Sequence, residues 1–233
     1  MEPPSRRQVT GRKQSLREQV LQDLRAEIVS GRVEGGHVYS VPALATDLGV
    51  STTPVREALL ELQRQGLVTP LPNRGFQVAV PSTEELLEML KLRELLETYA
   101  LDRLAAREEK DLTRLYAIAE RISDAVEQRD PVAYVAADRE FHLALVDEAG
   151  ISKLTTFISD LRDHMRLIGL ETEQGFARQE ASAAEHFQLL DLLTAGDTEG
   201  VRGIISHHIS AWEAVLRAGM AADHPTATTT DAM

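Results

Sequence analysis

The chain has no cysteine in its 233 residues. That excludes a disulfide framework, thiolate zinc sites and a cysteine nucleophile, and it fits a reducing compartment. Aromatic residues are scarce, at 4%, which argues against an exposed ring platform for single-stranded nucleic acid. No apolar run approaches the ~20 residues that a membrane helix needs. The N-terminus, MEPPSRRQVTGRKQS, is basic but lacks the apolar stretch of a secretory signal. With 14 glycines and 9 prolines, the chain is neither collagen-like nor wholly disordered. What is present is ordinary for a globular protein: 43% hydrophobic residues, enough for a sizeable core, and 27% charged. At ~150 residues per domain the length predicts one or two domains.

Charge is unevenly spread. Residues 1–82 hold 10 Lys+Arg against 8 Asp+Glu, whereas residues 83–233 hold 15 against 29. One part of the chain can therefore approach a polyanion that the other repels. The overall excess of acid disfavours a sequence-indifferent nucleic-acid binder but permits a small reader domain beside an acidic one. Arg6, Arg7, Arg12 and Lys13 lie in a polar arm, read either as a solubilising leader or as a phosphate-contacting segment.

Residues 1–13 read as a disordered basic arm and 221–233 as a disordered tail. Between them nearly everything scans as helix. Ser15 with Glu18 forms a capping box, followed by Leu16, Val20, Leu24 and Ile28 at i+4 spacing, with Gly31 as terminator. After Gly35 and Gly36, Ser40 is placed to cap a short helix through Ala43, Leu44 and Leu48. A third helix starts at Ser51 or Thr53, tolerates Pro54 in its first turn, buries Val55, Ala58, Leu59 and Leu62, and stops at Gly66. Leu67–Thr69 and Phe76–Val80 then read as two short strands around the turn 71–75. Three helices and a small hairpin are the arrangement of a winged helix-turn-helix, over residues 14–81, whose third helix enters the major groove.

Pro81-Ser82 is the predicted joint. Ser82 and Glu85 make a second capping box, leading into Leu86, Leu87, Leu90, Leu95, Leu96, Tyr99, Leu101 and Leu104. Asp111 and Asp130-Pro131 are start signals. Further helices are expected over roughly 131–148, 152–172, 178–195 and 198–218. The fold class is therefore mainly α: a winged helix-turn-helix followed, over 82–220, by an all-α bundle of six or seven helices.

The string LGVSTTPVREALLELQRQGLV at 48–68, with NRGFQV at 73–78, resembles the GntR family of bacterial transcription regulators. The second half resembles the FCD ligand-binding domain of the family's FadR subgroup. Its motifs here are LRELLE at 92–97, DREFH at 138–142, EHFQLLDLLTAGD at 185–197, and His208. Each piece alone is weak; together they are specific. The resemblance spans residues 14–220 and implies a cytoplasmic, nucleoid-associated bacterial regulator, a homodimer on a palindromic double-stranded operator. It also implies a small organic acid as effector, no enzymatic activity and no membrane partner.

Ser51, Thr52 and Thr53 sit at the start of the third helix, where hydroxyls and exposed amides suit phosphate contacts. Arg56, one turn in, is placed by the family motif on the reading face, where it reaches a guanine edge or a phosphate. A surface pairing near Glu57 and Glu61 is its bland alternative. Arg74 and Gly75 at the wing tip suit minor-groove or phosphate contact, against a plain solvated turn. Two departures matter: the family commonly has Arg where this chain has Thr52 and Pro42. A missing base-reading Arg removes about 1–3 kcal/mol of discrimination, so either the operator departs from the subgroup's usual one or the basic arm compensates.

Asp138 and His142 are four apart, so both emerge from one helix face, about 5–6 Å apart at Cβ. The resemblance implies that His186 and His208, from two later helices, join them around a divalent ion, zinc or nickel by donor type. His207 is the neighbour most easily confused with His208; successive helical residues point ~100° apart, so only one faces the site. His164 has no motif support. Arg93 is the expected clamp for the effector carboxylate, with a salt bridge to Glu97 at i+4 as its bland reading. Arg162 and Arg166 have less support. Two other readings stay open here: a metalloenzyme using the Asp/His set, and a ligand-independent DNA-binding protein whose histidines only stabilise the bundle.

Overall fold

A computed structural model describes residues 15–164 and 170–223. The basic arm, Arg166 and residues 224–233 of the expected tail lie outside the described residues. The chain divides into two compact units, one ending at Ala79 and the other running from Val80; Val29–Arg32 is counted with the second.

The first unit opens with α1 (Leu16–Val29). Its capping box is reciprocal: the Glu18 amide donates to Ser15 Oγ at 3.2 Å, and the Ser15 amide to the Glu18 carboxylate at 2.8 Å. Val20, Leu24 and Ile28 are buried, but Leu16, at the helix mouth, is exposed. Gly31 follows at φ 72. Next come β1 (Val38–Tyr39), α2 (Val41–Asp47), α3 (Thr52–Arg64), β2 (Val68–Leu71) and β3 (Gly75–Val78). α2 buries Val41 and Ala45, and the expected helix through Ala43, Leu44 and Leu48 is found with Leu48 at its C-cap. Ser40 occupies its N-cap without a side-chain bond. α3 buries the four residues that its period predicts, Val55, Ala58, Leu59 and Leu62.

The strands form an antiparallel sheet in the order β1-β3-β2, with Tyr39 opposite Phe76 and Leu71 opposite Gly75. β1 is an addition to the expected hairpin. Two residues after a Gly-Gly pair are too few to show a period. Its presence explains Gly75: at φ 121, a Cβ there would stand 2.0 Å from the Tyr39 carbonyl oxygen.

The second unit contains α4 (Thr83–Ala105), α5 (Thr113–Glu127), α6 (Pro131–Glu148), α7 (Ser152–His164), α8 (Glu173–Ala195), α9 (Thr198–Ser210) and α10 (Trp212–Asp223). The Ser82–Glu85 box caps α4, and Asp130 caps α6 through the amides of Val132 and Ala133. Four boundaries differ from expectation, one being the helix expected over 152–172, whose residues 170–172 lie in a turn and not in α7. Leu112, not Asp111, takes the cap of α5, while Asp111 accepts from the Thr113 amide. α8 starts five residues early because Thr172 caps it through Gly175. The helix expected over 198–218 is interrupted at Ala211, which lets Trp212 lie against Tyr134 and the Arg178 guanidinium. The core gathers Leu86, Leu104, Ile122, Phe141, Leu190 and Ile205 from five helices. α4 also carries apolar residues on a second face: Leu95 and Tyr99 are exposed.

Candidate functional site

Every buried polar or charged side chain among the described residues belongs to the second unit: Arg93, Glu97, His142, Arg162, Asp163, Gln179, Ser182, Glu185, His186 and His208. Burying charge is costly unless each group is paired, so such a cluster needs an account of its pairing.

α6 supplies Asp138 and His142 from one face, α8 supplies His186 and α9 supplies His208. One donor atom from each of the four lies within 4.8 Å of all the others. His142 Nε2 is 3.1 Å from His208 Nε2 and 3.4 Å from His186 Nε2. Asp138 Oδ1 is 3.3 Å from His186 Nε2 and 3.6 Å from His142 Nε2. Bonds of about 2.1 Å at tetrahedral angles put donor atoms about 3.4 Å apart, so the spacing is that of a ligand shell. His207 is exposed while His208 is buried, so the helical register turns His208 inward. His164 approaches the Asp160 carbonyl of its own helix.

Two carboxylates fix the imidazoles from behind. Glu97 Oε2 is 2.5 Å from His142 Nδ1, and Glu185 Oε2 is 2.7 Å from His208 Nδ1. A carboxylate accepts and does not donate, so each ring carries a proton on Nδ1, and in its neutral form aims an Nε2 lone pair inward. Lone pairs facing one another at 3.1 Å repel. A bound cation relieves that repulsion, as does a proton shared between two of the rings. Asp138 Oδ1, buried and 3.3 Å from His186 Nε2, faces the same point.

The charge states agree with this geometry. Burial pushes the pKa of His208 down to about 3, against the opposing pull of its bond to Glu185. Burial likewise lowers that of His186, so both are neutral at neutral pH. Burial, the largest single effect, would raise Asp138 and Glu97, but Arg162 together with His142 and His186 outweighs it for Asp138, and Arg162, Arg93 and His142 together outweigh it for Glu97. Both carboxyls are held well below the usual range.

Arg93, the expected clamp, donates through Nε to Glu97 Oε1 at 2.9 Å, the i+4 bridge weighed as its bland reading. It also lines a cavity of about 70 Å³ together with Tyr134, Asp138, Arg162, His208 and Trp212. Arg162 is the stronger candidate. Its Nη1 donates to Asp138 Oδ2 at 2.8 Å, while its buried Nη2 has no hydrogen-bond partner among the described residues. Glu97 and Glu185 were missed as functional residues although both stand in the quoted motifs, because spacing alone does not tell a ligand's supporting carboxylate from a surface one.

In the first unit, Ser51, Thr52, Thr53 and Arg56 are all exposed at the start of α3, and Arg74 is exposed in the loop between β2 and β3. Glu61, a neighbour available to pair with Arg56, is instead engaged by Arg64 and Gln65. Gly75 sits against the backbone of β1, so its lack of a side chain has a structural cause.

The family description "Bacterial regulatory proteins, gntR family" matches residues 16–78, and the FCD domain matches residues 88–211. The HTH-type transcriptional regulator McbR of Escherichia coli is 31% identical over 208 residues, which cover 87% of this chain and 93% of that protein. Its solved structure superposes with a TM-score of 0.80 at 28% identity, covering 88% of this chain and 99% of that one. The "Probable D-xylose utilization operon transcriptional repressor" of Paenarthrobacter nicotinovorans is 30% identical, covering 80% of this chain and 82% of the relative. The gluconate operon transcriptional repressor of Bacillus subtilis is 30% identical over 128 residues, 54% of this chain and 52% of the relative. With a winged helix-turn-helix matching the one family description and a helical domain matching the other, the chain belongs to the GntR family of transcriptional regulators, in the FadR-like subgroup carrying an FCD domain.

Proposed function

We propose that the protein is a metabolite-responsive repressor that binds a palindromic operator as a homodimer and leaves it when a small organic acid occupies the FCD domain beside a divalent ion. The observation carrying this reading is the set of inward-facing donors, three imidazole Nε2 atoms and Asp138 Oδ1, next to the unpartnered Nη2 of Arg162. Asp138, His142, His186 and His208 would hold the ion; three nitrogens and one oxygen suit zinc or nickel. When bound, it would supply an electrophilic centre for a carboxylate or hydroxyl oxygen of the acid.

Charge balance favours an anion. Arg93 and Arg162 are offset by Glu97 and Asp138, so a dipositive ion would leave the buried site positive unless an acid joined it. Arg162 would take one carboxylate oxygen through Nη2, with Arg93 behind it. At about 10–15 Å³ for each water-sized unit, the 70 Å³ cavity suits a short hydroxy or keto acid better than a sugar acid. Tyr134, whose hydroxyl lies 2.9 Å from Ser182 Oγ, and Trp212 would cover its carbon skeleton.

On the DNA side, Ser51, Thr52 and Thr53 would contact phosphates, Arg56 a base edge or phosphate, and Arg74 and Gly75 the groove beside the wing. Only residues 79–82 separate β3 from α4, so a shift of α4 would re-aim α3. Two half-sites on DNA tolerate only one spacing. Repression is supported by the printed names of the D-xylose and gluconate operon relatives. Those relatives are regulators, so the metalloenzyme reading is set aside.

The test is a melting-temperature screen of short organic acids with and without a chelator, followed by operator binding with each hit. Stabilisation that disappears with the chelator, and weaker operator binding with the same acid, are the expected results. Purified protein that contains no metal and shifts with no acid would favour the ligand-independent reading.

A further inference from the structure

We propose that Glu97 is a positioning residue: it fixes the tautomer of His142 and ties that ligand to the arginines of the acid cavity. The inference rests on the reading of His142 as an ion ligand. Glu97 is 1% exposed and is shared between three side chains from three helices. Its Oε1 accepts from Arg93 Nε on α4 at 2.9 Å and lies 3.4 Å from Arg162 Nε on α7. Its Oε2 lies 2.5 Å from Nδ1 of His142 on α6.

The consequence is directional. With Oε1 turned to two guanidiniums, Oε2 of Glu97 accepts from Nδ1 of His142, and the neutral ring then presents its Nε2 lone pair toward His186 and His208. Asp138 is arranged in the same way, with Oδ2 on Arg162 and Oδ1 toward the histidines. Arg162 therefore touches both carboxylates that face the ligand set. An anion drawn to its Nη2 takes a share of the guanidinium charge. Glu97 is then less neutralised from behind, and the imidazole bound to its other oxygen becomes a better donor. Acid and ion thus strengthen each other's binding, as reciprocal linkage requires. The carboxylate doing this belongs to α4, the helix that follows the DNA-binding unit in the chain.

The experiment compares the full chain with Glu97→Gln. Zinc affinity is measured by competition with a chelator, and imidazole tautomers of the metal-free protein by nitrogen NMR. Zinc is expected to bind about 10–100-fold more weakly to the variant. His142 is expected as the Nδ1–H form in the native chain and as a mixture in the variant, with His208 unchanged because Glu185 still holds it. A general loosening of the fold would not select His142 over His208. Equal zinc affinity in the two proteins overturns the positioning role. So does His142 carrying its proton on Nε2 in the native chain, a result that needs no variant to fold. Native protein that takes up no zinc would instead remove the ion site, and this role with it.

Discussion

At His208, one ring has its Nδ1 bound to Glu185 and its Nε2 turned to the other ligands, in surroundings that hold its pKa near 3. A histidine whose folded pKa lies below its unfolded value binds more protons when unfolded, so stability falls as pH falls. Chelator-treated protein is therefore expected to lose melting temperature from about pH 6.5 downward, above the range where ordinary carboxylates titrate. Glu185 adds a second limb. Burial would raise its pKa, but bonds from His208 and Arg178 hold it at about 2, so its contribution is present above about 4.5 and lost toward 2. His208→Asn should make both limbs shallower, the upper because one of the two buried imidazoles is gone and the lower because Glu185 loses its His208 partner. A melting temperature unchanged between pH 7 and 5 in the native chain contradicts this account. Arg162 gives a second residue-scale expectation: Arg162→Met removes from the cavity lining a buried guanidinium whose Nη2 has no hydrogen-bond partner among the described residues. Calorimetric titration with an acid that stabilises the native chain should show at least a tenfold loss in the variant, about 1.4 kcal/mol.

Among the elements, the wing depends on a close approach of backbone to backbone. Gly75→Ala puts a methyl group 2.0 Å from the Tyr39 oxygen, so β1 must move or β3 must leave its register. Strain of this kind costs about 1–3 kcal/mol and is confined to the first unit. Operator affinity should fall while zinc uptake by the second unit is unchanged. α4 makes a different demand. Leu92, Leu95 and Tyr99 recur at helical spacing and are 47%, 60% and 53% exposed, a stripe that a second copy of the chain would cover. Leu95→Glu with Tyr99→Glu should shift the protein toward monomer in sedimentation and weaken operator binding; a dimer that persists would put the interface elsewhere.

These elements also indicate what the sequence made legible. The capping boxes at Ser15 and Ser82 and the cap at Asp130 work through neighbours three or fewer residues away, so they could be read directly. The apolar period of α3 was equally plain. β1 could not be read, since two residues show no period and its pairing is with residues almost 40 positions on. The same holds for Arg162: nothing local separates it from Arg93, and only packing across helices left Arg93 on Glu97 and Arg162 with an unbonded nitrogen. The ligand set was legible because His142 lies four residues from Asp138, and the family motif selected His208 over His207.

For the whole molecule, the charge asymmetry noted at the outset becomes a statement about salt. The second unit carries most of the negative charge and is repelled by DNA, so binding depends on a small number of cations in the first. Log affinity falls with log salt at a slope of about 0.9 per neutralised phosphate. Arg56→Ala removes an exposed cation at the start of α3. If Arg56 meets a phosphate, the variant should weaken all sequences alike and lower the slope by about one unit; if it reads a base, it should relax specificity at one operator position per half-site with less change in slope. Fluorescence anisotropy on a native and a scrambled operator, each across a salt series, separates the two. Deleting residues 1–13 in the same assay asks whether Arg6, Arg7, Arg12 and Lys13 supply what Thr52 and Pro42 do not. An unchanged slope for that deletion would leave recognition to α3 and the wing alone, and the operator would then have to differ from the subgroup's usual sequence at the positions those two residues face.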